Sequence, residues 1–479
     1  MIFQGYLLAL AYGVLCILLA GVVFKLGAKK SITRKIVHIL VGFEWAILYI
    51  FHGAGWHFFA VCVIFTLLLL VEYRMRILPM MSSDGDNAPG TVYYGISMSI
   101  MALVCVFVPQ CIYPFGIAVF CTSLGDGFAG VIGAAFKKYN PKVYNNKTLL
   151  GAVANLVVSF FVALAFSLIF ELHIPPIYLI SIAVLALGLE LLGERGLDNL
   201  LLPLGIFAFS SFAILMPEKC IHYVAPIILT PLVIIFAKSK EVLTNSGIIA
   251  ALALDLVITL ALGNFGFLLL LSFLLFSALV DKIKKRKMKF KDDVSEKSAK
   301  RDEIQVLSNG IVSMFMAIFF LIDANGIFVC AFVCALAEAF ADTCGSGFGV
   351  FSRKTYNIIN FKPIKSGLSG GVSVIGTLAS LVAAFAFSAL ALAFGMIGAF
   401  EFVIISVIAF VASLLDSLLG ALLQAKFECQ NCGELTEKRI HCDAPTKKKS
   451  GVMLVTNDVV NLFSTLLASL FAIVFFLLI

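Results

Sequence analysis

Charge is scarce in this sequence: 13% of its 479 residues are Asp, Glu, Lys or Arg, about half the share found in soluble domains. With 61% hydrophobic residues and a mean hydropathy of +1.06, the chain is far too apolar for a water-soluble fold. Short alternating strands, which a membrane barrel requires, are also missing. The chain opens on an apolar run without a charged n-region or a small-residue cleavage site, so no signal or transit peptide is expected and residue 1 is read as part of the mature protein. Neither a G-x-x-x-x-G-K-[ST] loop nor a strand-borne G-x-G-x-x-G occurs, which excludes a soluble nucleotide-binding fold. The twelve cysteines offer no disulfide framework, since most of them, such as Cys16, Cys62, Cys105, Cys330 and Cys334, stand inside apolar segments where a thiol acts as a small hydrophobe.

What is present is a succession of continuous apolar runs rich in Leu, Ala and Phe, for example 6–24, 91–109, 149–170 and 452–479. Each is long enough to cross a hydrocarbon core as a helix. The expected fold is an all-α polytopic integral membrane protein with about sixteen transmembrane helices. Basic residues fall in alternate loops: 25–35, 74–76, 137–147, Arg195, 238–240, 282–301, 353–365 and 426–449. The positive-inside rule makes these loops cytosolic and turns both termini outward. The net charge of +7 therefore reports topology, and nucleic acid is set aside as a partner. The basic stretch 282–300 suits an anionic lipid surface or a nucleotide, but a solvated topology determinant is the preferred reading. With no organelle signal, a bacterial plasma membrane is the default location.

One pattern occurs twice. Leu124-Gly125-Asp126-Gly127-Phe128-Ala129-Gly130 is followed by Gly133, a basic loop and Lys147-Thr148-Leu149-Leu150-Gly151. Glu338 and Ala341-Asp342-Thr343, with Ser346, Gly347 and Gly349, are followed by a basic loop and Lys365-Ser366-Gly367-Leu368-Ser369-Gly370-Gly371. This reads as an internal duplication, with domains 1–217 and 218–479. A carboxylate inside a membrane is costly unless it faces a polar cavity, so Asp126, Asp342 and Asp416 are functional candidates. A Lys, a hydroxyl and glycines at a cytosolic helix start suit phosphate, and Mg²⁺ prefers one or two carboxylates together with phosphate oxygens. The structural alternative is that small residues merely pack helices around carboxylates neutralised by lysines. Asp255 stands without such partners, and there that alternative is preferred.

These residues carry two family resemblances. Residues 30–215 resemble the dolichol kinase and phytol kinase family of polyprenol kinases through Arg34-Lys35-x-x-His38, Glu72 and Arg74, Gly125-Asp126-x-x-Ala129 with Gly130 and Gly133, Lys147-Thr148-x-x-Gly151, and Gly196-Leu197-Asp198-Asn199 with Pro203. Residues 240–475 resemble the TMEM-type family that includes plant phytyl-phosphate kinase. The carriers there are Gln305-Val306-Leu307-x-Asn309-Gly310, Glu338-x-x-Ala341-Asp342-Thr343, Gly367-x-x-Gly370-Gly371-Val372-Ser373 with Gly376, Asp416-Ser417-Leu418-Leu419-Gly420 with Gln424, and Asn457-Asp458-x-x-Asn461. The resemblance implies a fusion that phosphorylates a prenol (phytol, geranylgeraniol or a polyprenol) to its monophosphate and then its diphosphate, with CTP as donor. Leu150 and Ala152 replace the first family's usual Glu and Ser, and Gly347 replaces the second family's usual Glu.

Phosphoryl transfer needs positioning and charge neutralisation more than covalent help. In the first half Asp126 is the candidate Mg²⁺ ligand or proton acceptor, Lys147, Arg34 and Lys35 are candidates for phosphate, and His38 for positioning or proton exchange. Gly125, Thr148 and Gly151 are read as nucleotide-binding, and Asp198 and Asn199 either complete the metal shell or start a helix as a cap. In the second half Asp342, Asp416 and Asp458 are candidates for metal or nucleotide. Glu338, Asn309, Asn457 and Asn461 would support them, Lys365 would meet phosphate, and Gly370 and Gly371 would offer backbone N–H groups. Cys429, Cys432, His441 and Cys442 have the ligand types for zinc, but adjacent His and Cys are awkward ligands, and a reduced loop without metal is preferred. A lipid-phosphate transporter or flippase is the rival function and a cytidylyltransferase making CDP-lipids a third. The gathering of motifs toward cytosolic helix ends favours an enzyme over a transporter.

Overall fold

In the computed structural model, residues 2–28, 30–76, 89–136, 140–145, 147–193, 196–287 and 300–479 are described. Arg195, Lys137, Lys138 and most of the basic stretch 282–300 lie outside them. The chain divides into two compact units, Met1–Ile235 and Phe236–Ile479, so the division expected at residue 217 lies about one helix earlier. Thirteen described helices are long and apolar enough to cross a membrane, and Pro176–Leu192 is a shorter apolar helix. About sixteen spans were expected. One of the thirteen is two segments in sequence, because Gly263 (φ 60°, ψ −147°) breaks the helical path within Asn245–Lys287.

The first unit runs α1 (Ile2–Lys25), α2 (Lys30–Val41), α3 (Glu44–His52), α4 (Trp56–Met75), α5 (Gly90–Phe107), α6 (Ile112–Phe120), a π-helical stretch at Cys121–Asp126, α7 (Gly127–Ala135), α8 (Leu149–Ile169), α9 (Pro176–Leu192), α10 (Asp198–Leu215), α11 (Pro217–Cys220) and α12 (Val224–Ser239). A short hairpin, β1 (Lys142–Tyr144) with β2 (Lys147–Thr148), precedes α8. Helix α2 is short, amphipathic and outside the spans. Its sequence KSITRKIVHILV sets Lys35 and His38 one turn apart, on one face. Phe58, Met101, Phe115, Ile117, Ile182, Leu202 and Ile206 are fully buried at the core of this unit.

The second unit contains α13 (Asn245–Lys287), α14 (Glu303–Asp323), α15 (Gly326–Gly349), α16 (Val374–Ala393), α17 (Ala399–Leu422) and α18 (Asn457–Leu477). Between α15 and α16 a three-stranded sheet joins β3 (Thr355–Asn357), β4 (Pro363–Ile364) and β5 (Gly371–Val372) in the order β4-β3-β5. Local signals set the helix starts. Asp302 and Gln305 form a capping box at α14, and Asn325 and Ser373 cap α15 and α16. Helix α15 packs against α13, α14, α16, α17 and α18, with Phe332, Ala335, Leu336 and Ala337 wholly buried.

Helices in lipid gain little from apolar burial against one another, so close packing of small residues holds them together. The contact of α15 with α16 shows this: a Cβ on Gly376 would lie 2.9 Å from the Gly345 carbonyl oxygen and 3.2 Å from Gly349 Cα. Gly376→Leu is expected to force the two helices apart at a cost of about 1–3 kcal/mol, read as a lower unfolding midpoint in detergent. Gly13→Leu, at a glycine whose Cβ would meet nothing within 4 Å, should leave that midpoint unchanged.

Candidate functional site

The most enclosed membrane-crossing segment of each unit carries the central carboxylate. These segments are Pro109–Ala135, with Asp126, and Gly326–Gly349, with Asp342. In the first unit Asp126 closes the π-helical stretch, a geometry that recurs at functional sites. Lys35 Nζ lies 2.5 Å from Asp126 Oδ2 and 3.2 Å from its carbonyl oxygen. His38 Nε2 stands 3.6 Å from the same carboxylate oxygen and 3.2 Å from the Thr122 carbonyl. From β2, Lys147 Nζ donates to Glu190 Oε1 at 2.8 Å and to Asp198 Oδ2 at 3.1 Å. Two lysines, one histidine and three carboxylates therefore converge from α2, the π-helical stretch, β2, α9 and α10. Burial opposes the charge on Lys147, but Asp126, Glu190 and Asp198 outweigh it and raise its pKa. Burial also lowers the pKa of His38 from 6.5, against the pull of Asp126.

The second unit encloses a cavity of about 310 Å³ lined by Asp342, Asp416, Asp458, Ser369, Gly370 and Gly371, with Lys284 and Arg439 as its cations. Ser464 Oγ donates to Asp416 Oδ2 at 3.0 Å. Glu338 is 1% exposed, lies within electrostatic reach of Asp342 and Asp416, and keeps Oε1 without a hydrogen-bond partner. Among the described residues no cation pairs with Glu338, Asp342 or Asp416. An all-oxygen cluster of carboxylates not paired with a lysine or arginine fits a hard divalent cation such as Mg²⁺.

The local contacts around the two central carboxylates repeat. Gly133 and Gly349 each stand seven residues beyond the carboxylate, and a Cβ on them would meet Thr148 Oγ1 at 2.7 Å and Ser373 Oγ at 3.4 Å. Three residues beyond those hydroxyls, a Cβ on Gly151 or on Gly376 would lie 2.8 Å from the Ala129 carbonyl or 2.9 Å from that of Gly345. Thr148 is thus matched by Ser373, eight residues past the Lys365 that the sequence pattern paired with Lys147. At the position of Lys147 the second unit has Val372.

The other predicted residues divide accordingly. Arg34 is exposed on α2, and its neighbour Lys35 is the cation that reaches Asp126. Lys365 is absent from the cavity lining; its Nζ pairs with Glu434 Oε2 at 2.5 Å on the surface. Gly125 packs against Ser159 and Asn155, and Asn199 packs at Gly90, where α5 starts. Asn457 lines the cavity, and its side-chain amide leads through Asn461 to Asn309, each link 3.3 Å. Gly370, with φ +81°, lies where a Cβ would meet Ala421, so only glycine suits that turn. The sequence reading missed Glu190, Lys284 and Arg439. Glu190, alone in the apolar run LALGLELLG, could have been found by the rule that charges within spans are functional candidates.

The family described as Integral membrane protein DUF92 matches residues 228–469, about half of the chain. The chain belongs to this family. The DUF92 segment contains every residue named above as lining the second-unit cavity. Over 180 residues the chain is 30% identical to the phytol kinase of Synechocystis sp., covering 36% of this chain and 76% of that protein. It is 27% identical over 237 residues to protein VTE6, chloroplastic, of Arabidopsis thaliana, covering 48% of this chain and 64% of the relative. To protein PGR of the same plant it is 30% identical over 272 residues, covering 51% and 92%. No solved structure matches.

Lys147→Met leaves Glu190 and Asp198 facing each other without their cation, and an expected loss of about 3 kcal/mol follows from breaking a largely buried pair. Calorimetry in detergent checks it, and Lys147→Met combined with Glu190→Gln should recover part of the loss. The Lys147 contribution is present at neutral pH and disappears only as pH rises through its raised pKa. His38 has the opposite sense. As pH falls through 6.5, the unfolded chain takes up a proton that the folded site resists, so stability drops on acidification. His38→Gln should flatten the stability profile on the acid side of about pH 6.5.

Proposed function

We propose that this chain is a membrane isoprenoid-alcohol kinase that uses CTP to convert a prenol to its monophosphate in the first unit and to its diphosphate in the second. The observation that carries the reading is the second-unit cavity, where Asp342 and Asp416 share one lining with a glycine turn and two cations, Lys284 and Arg439. Similarity to a relative named phytol kinase supports a phosphotransferase of this substrate class.

The two sites suit different acceptors. In the first unit the alcohol oxygen attacks the γ-phosphorus, the bond to the nucleoside diphosphate breaks, and the alcohol proton passes to Asp126, which His38 and Lys35 hold in place. Lys147 and Lys35 offset the phosphate charge. Lys35 takes one oxygen of the Asp126 carboxylate and leaves the other for the proton, and the main magnesium site is assigned to the second unit. There the acceptor is a phosphate and needs no base. Asp342, Asp416 and Asp458, with Glu338 behind them, would hold Mg²⁺, which on binding neutralises phosphate charge. Lys284, Arg439 and the backbone N–H groups at Gly370 and Gly371 orient the phosphates. The active face is cytosolic, as the loop charges suggest.

The test uses the purified full chain in detergent with γ-labelled CTP, Mg²⁺ and phytol or geranylgeraniol. The parent should form both products. Asp126→Asn should lose phosphorylation of the alcohol by about 10²-fold or more, and Asp342→Asn should stop at the monophosphate. If a folded, nucleotide-binding protein labels neither prenol nor prenyl phosphate, the kinase reading fails and lipid-phosphate transport takes its place.

A further inference from the structure

Beyond α17 the chain forms a four-stranded sheet of β6 (Lys426–Cys429), β7 (Leu435–Thr436), β8 (Ile440–His441) and β9 (Ala444–Ser450), ordered β7-β6-β9-β8. Two turns gather four side chains at its edge. Gly433, with φ +71°, turns the chain after Cys429-x-x-Cys432, and its N–H donates to the Cys429 carbonyl at 2.9 Å. The Cys429 thiol faces the His441 carbonyl at 3.6 Å, which brings the two ligand pairs together.

His441 and Cys442 would point to opposite faces if both were in a strand. The backbone removes that difficulty. Cys442 and Asp443 adopt φ +52° and +57°, so the chain reverses at Cys442 and its thiol comes round to 3.3 Å from His441 Nδ1. Cys432 Sγ lies 3.6 Å from the same nitrogen and 3.9 Å from Cys442 Sγ. Donor atoms of Cys429, Cys432, His441 and Cys442 all lie within 4.8 Å of one another. A tetrahedron with Zn–S of about 2.3 Å and Zn–N of about 2.0–2.1 Å has edges of about 3.8 Å between sulfurs and about 3.5 Å between sulfur and nitrogen. The three spacings among Cys432, His441 and Cys442 match those edges, and the Cys429 sulfur lies within 4.8 Å of each of them. Cys429 and His441 are buried, while Cys432 and Cys442 are exposed, so the site is open to metal from solvent.

We propose that Cys429, Cys432, His441 and Cys442 bind one Zn²⁺ in a closed, structural Cys₃His site that fixes the sheet beside the second-unit cavity. Binding displaces the thiol protons to solvent and needs no oxidant. Glu437 and Arg439, both lining the cavity, lie in the segment between the two ligand pairs. Glu437 accepts from the backbone N–H of Ser369 at 2.9 Å and from its hydroxyl, and Ser369 directly precedes the Gly370-Gly371 turn. Zinc at the sheet edge therefore holds the acidic anchor of the glycine loop.

The experiment measures metal in the full-length chain purified in detergent. The expected result is one zinc per chain, lost in the Cys432→Ser, Cys442→Ser double variant and kept in Cys344→Ser, a change at a buried cysteine outside the cluster. Cobalt loaded into chelator-stripped parent should give a cobalt–thiolate charge-transfer band, a readout that needs no variant to fold. Chelation should expose thiols to a thiol reagent that zinc protects. A monodisperse parent without zinc and without the cobalt band overturns the proposal, as does a double variant that keeps its zinc or a Cys432–Cys442 disulfide in the isolated protein. These readouts follow metal rather than phosphoryl transfer, so this inference and the kinase reading can fail separately.

Discussion

The cost of placing carboxylates inside a membrane-embedded bundle is the constraint on which the rest of this structure depends. Asp126 and Asp342 sit on the most enclosed span of their units, where an uncompensated charge is least tolerable. The first unit answers with fixed cations: Lys35 reaches Asp126, and Lys147 bridges Glu190 and Asp198. In the second unit no described cation pairs with Glu338, Asp342 or Asp416, and the two aspartates line a cavity. Repeated local contacts thus carry two electrostatic solutions, and the difference is concentrated at position 147, where its counterpart Val372 offers no charge.

Much of this was legible in the sequence, for reasons that are physical. Continuous apolar runs dictate helices because no other backbone arrangement satisfies its own polar groups in lipid. Isolated Asp residues among glycines stand out because both are costly in an apolar helix unless used. Spacing gave the carboxylate, the following glycines and the hydroxyl at the next helix start. It did not give the cations. Arg34 and Lys35 are neighbours in the chain, and only the helical phase of α2 decides that Lys35 faces Asp126. Lys365 looked equivalent to Lys147 because both lie in basic loops before glycines. The second loop is longer and folds as a three-stranded sheet, so Lys365 ends on the surface and Ser373 takes the place corresponding to Thr148. Glu190 was hidden by its surroundings, a single acid in an otherwise unremarked apolar helix.

The awkwardness of His441 next to Cys442 has a similar origin. Sequence adjacency implies opposed side chains only when the backbone is extended, and a left-handed residue cancels that rule. Such conformations at non-glycine positions are uncommon, which is why spacing alone argues against a shared ligand role for the pair.

The π-helical stretch at Cys121–Asp126 has a consequence for how this unit can vary. A π turn amounts to one extra residue held within a helix. The wide turn takes up that residue, so the helix after it keeps its phase and the glycine face of α7 meets Thr148 and Gly151. A residue added or lost within α7 itself, where no wide turn takes it up, would rotate everything after it by about 100°. The length of chain between Asp126 and Gly133 is therefore itself part of the site.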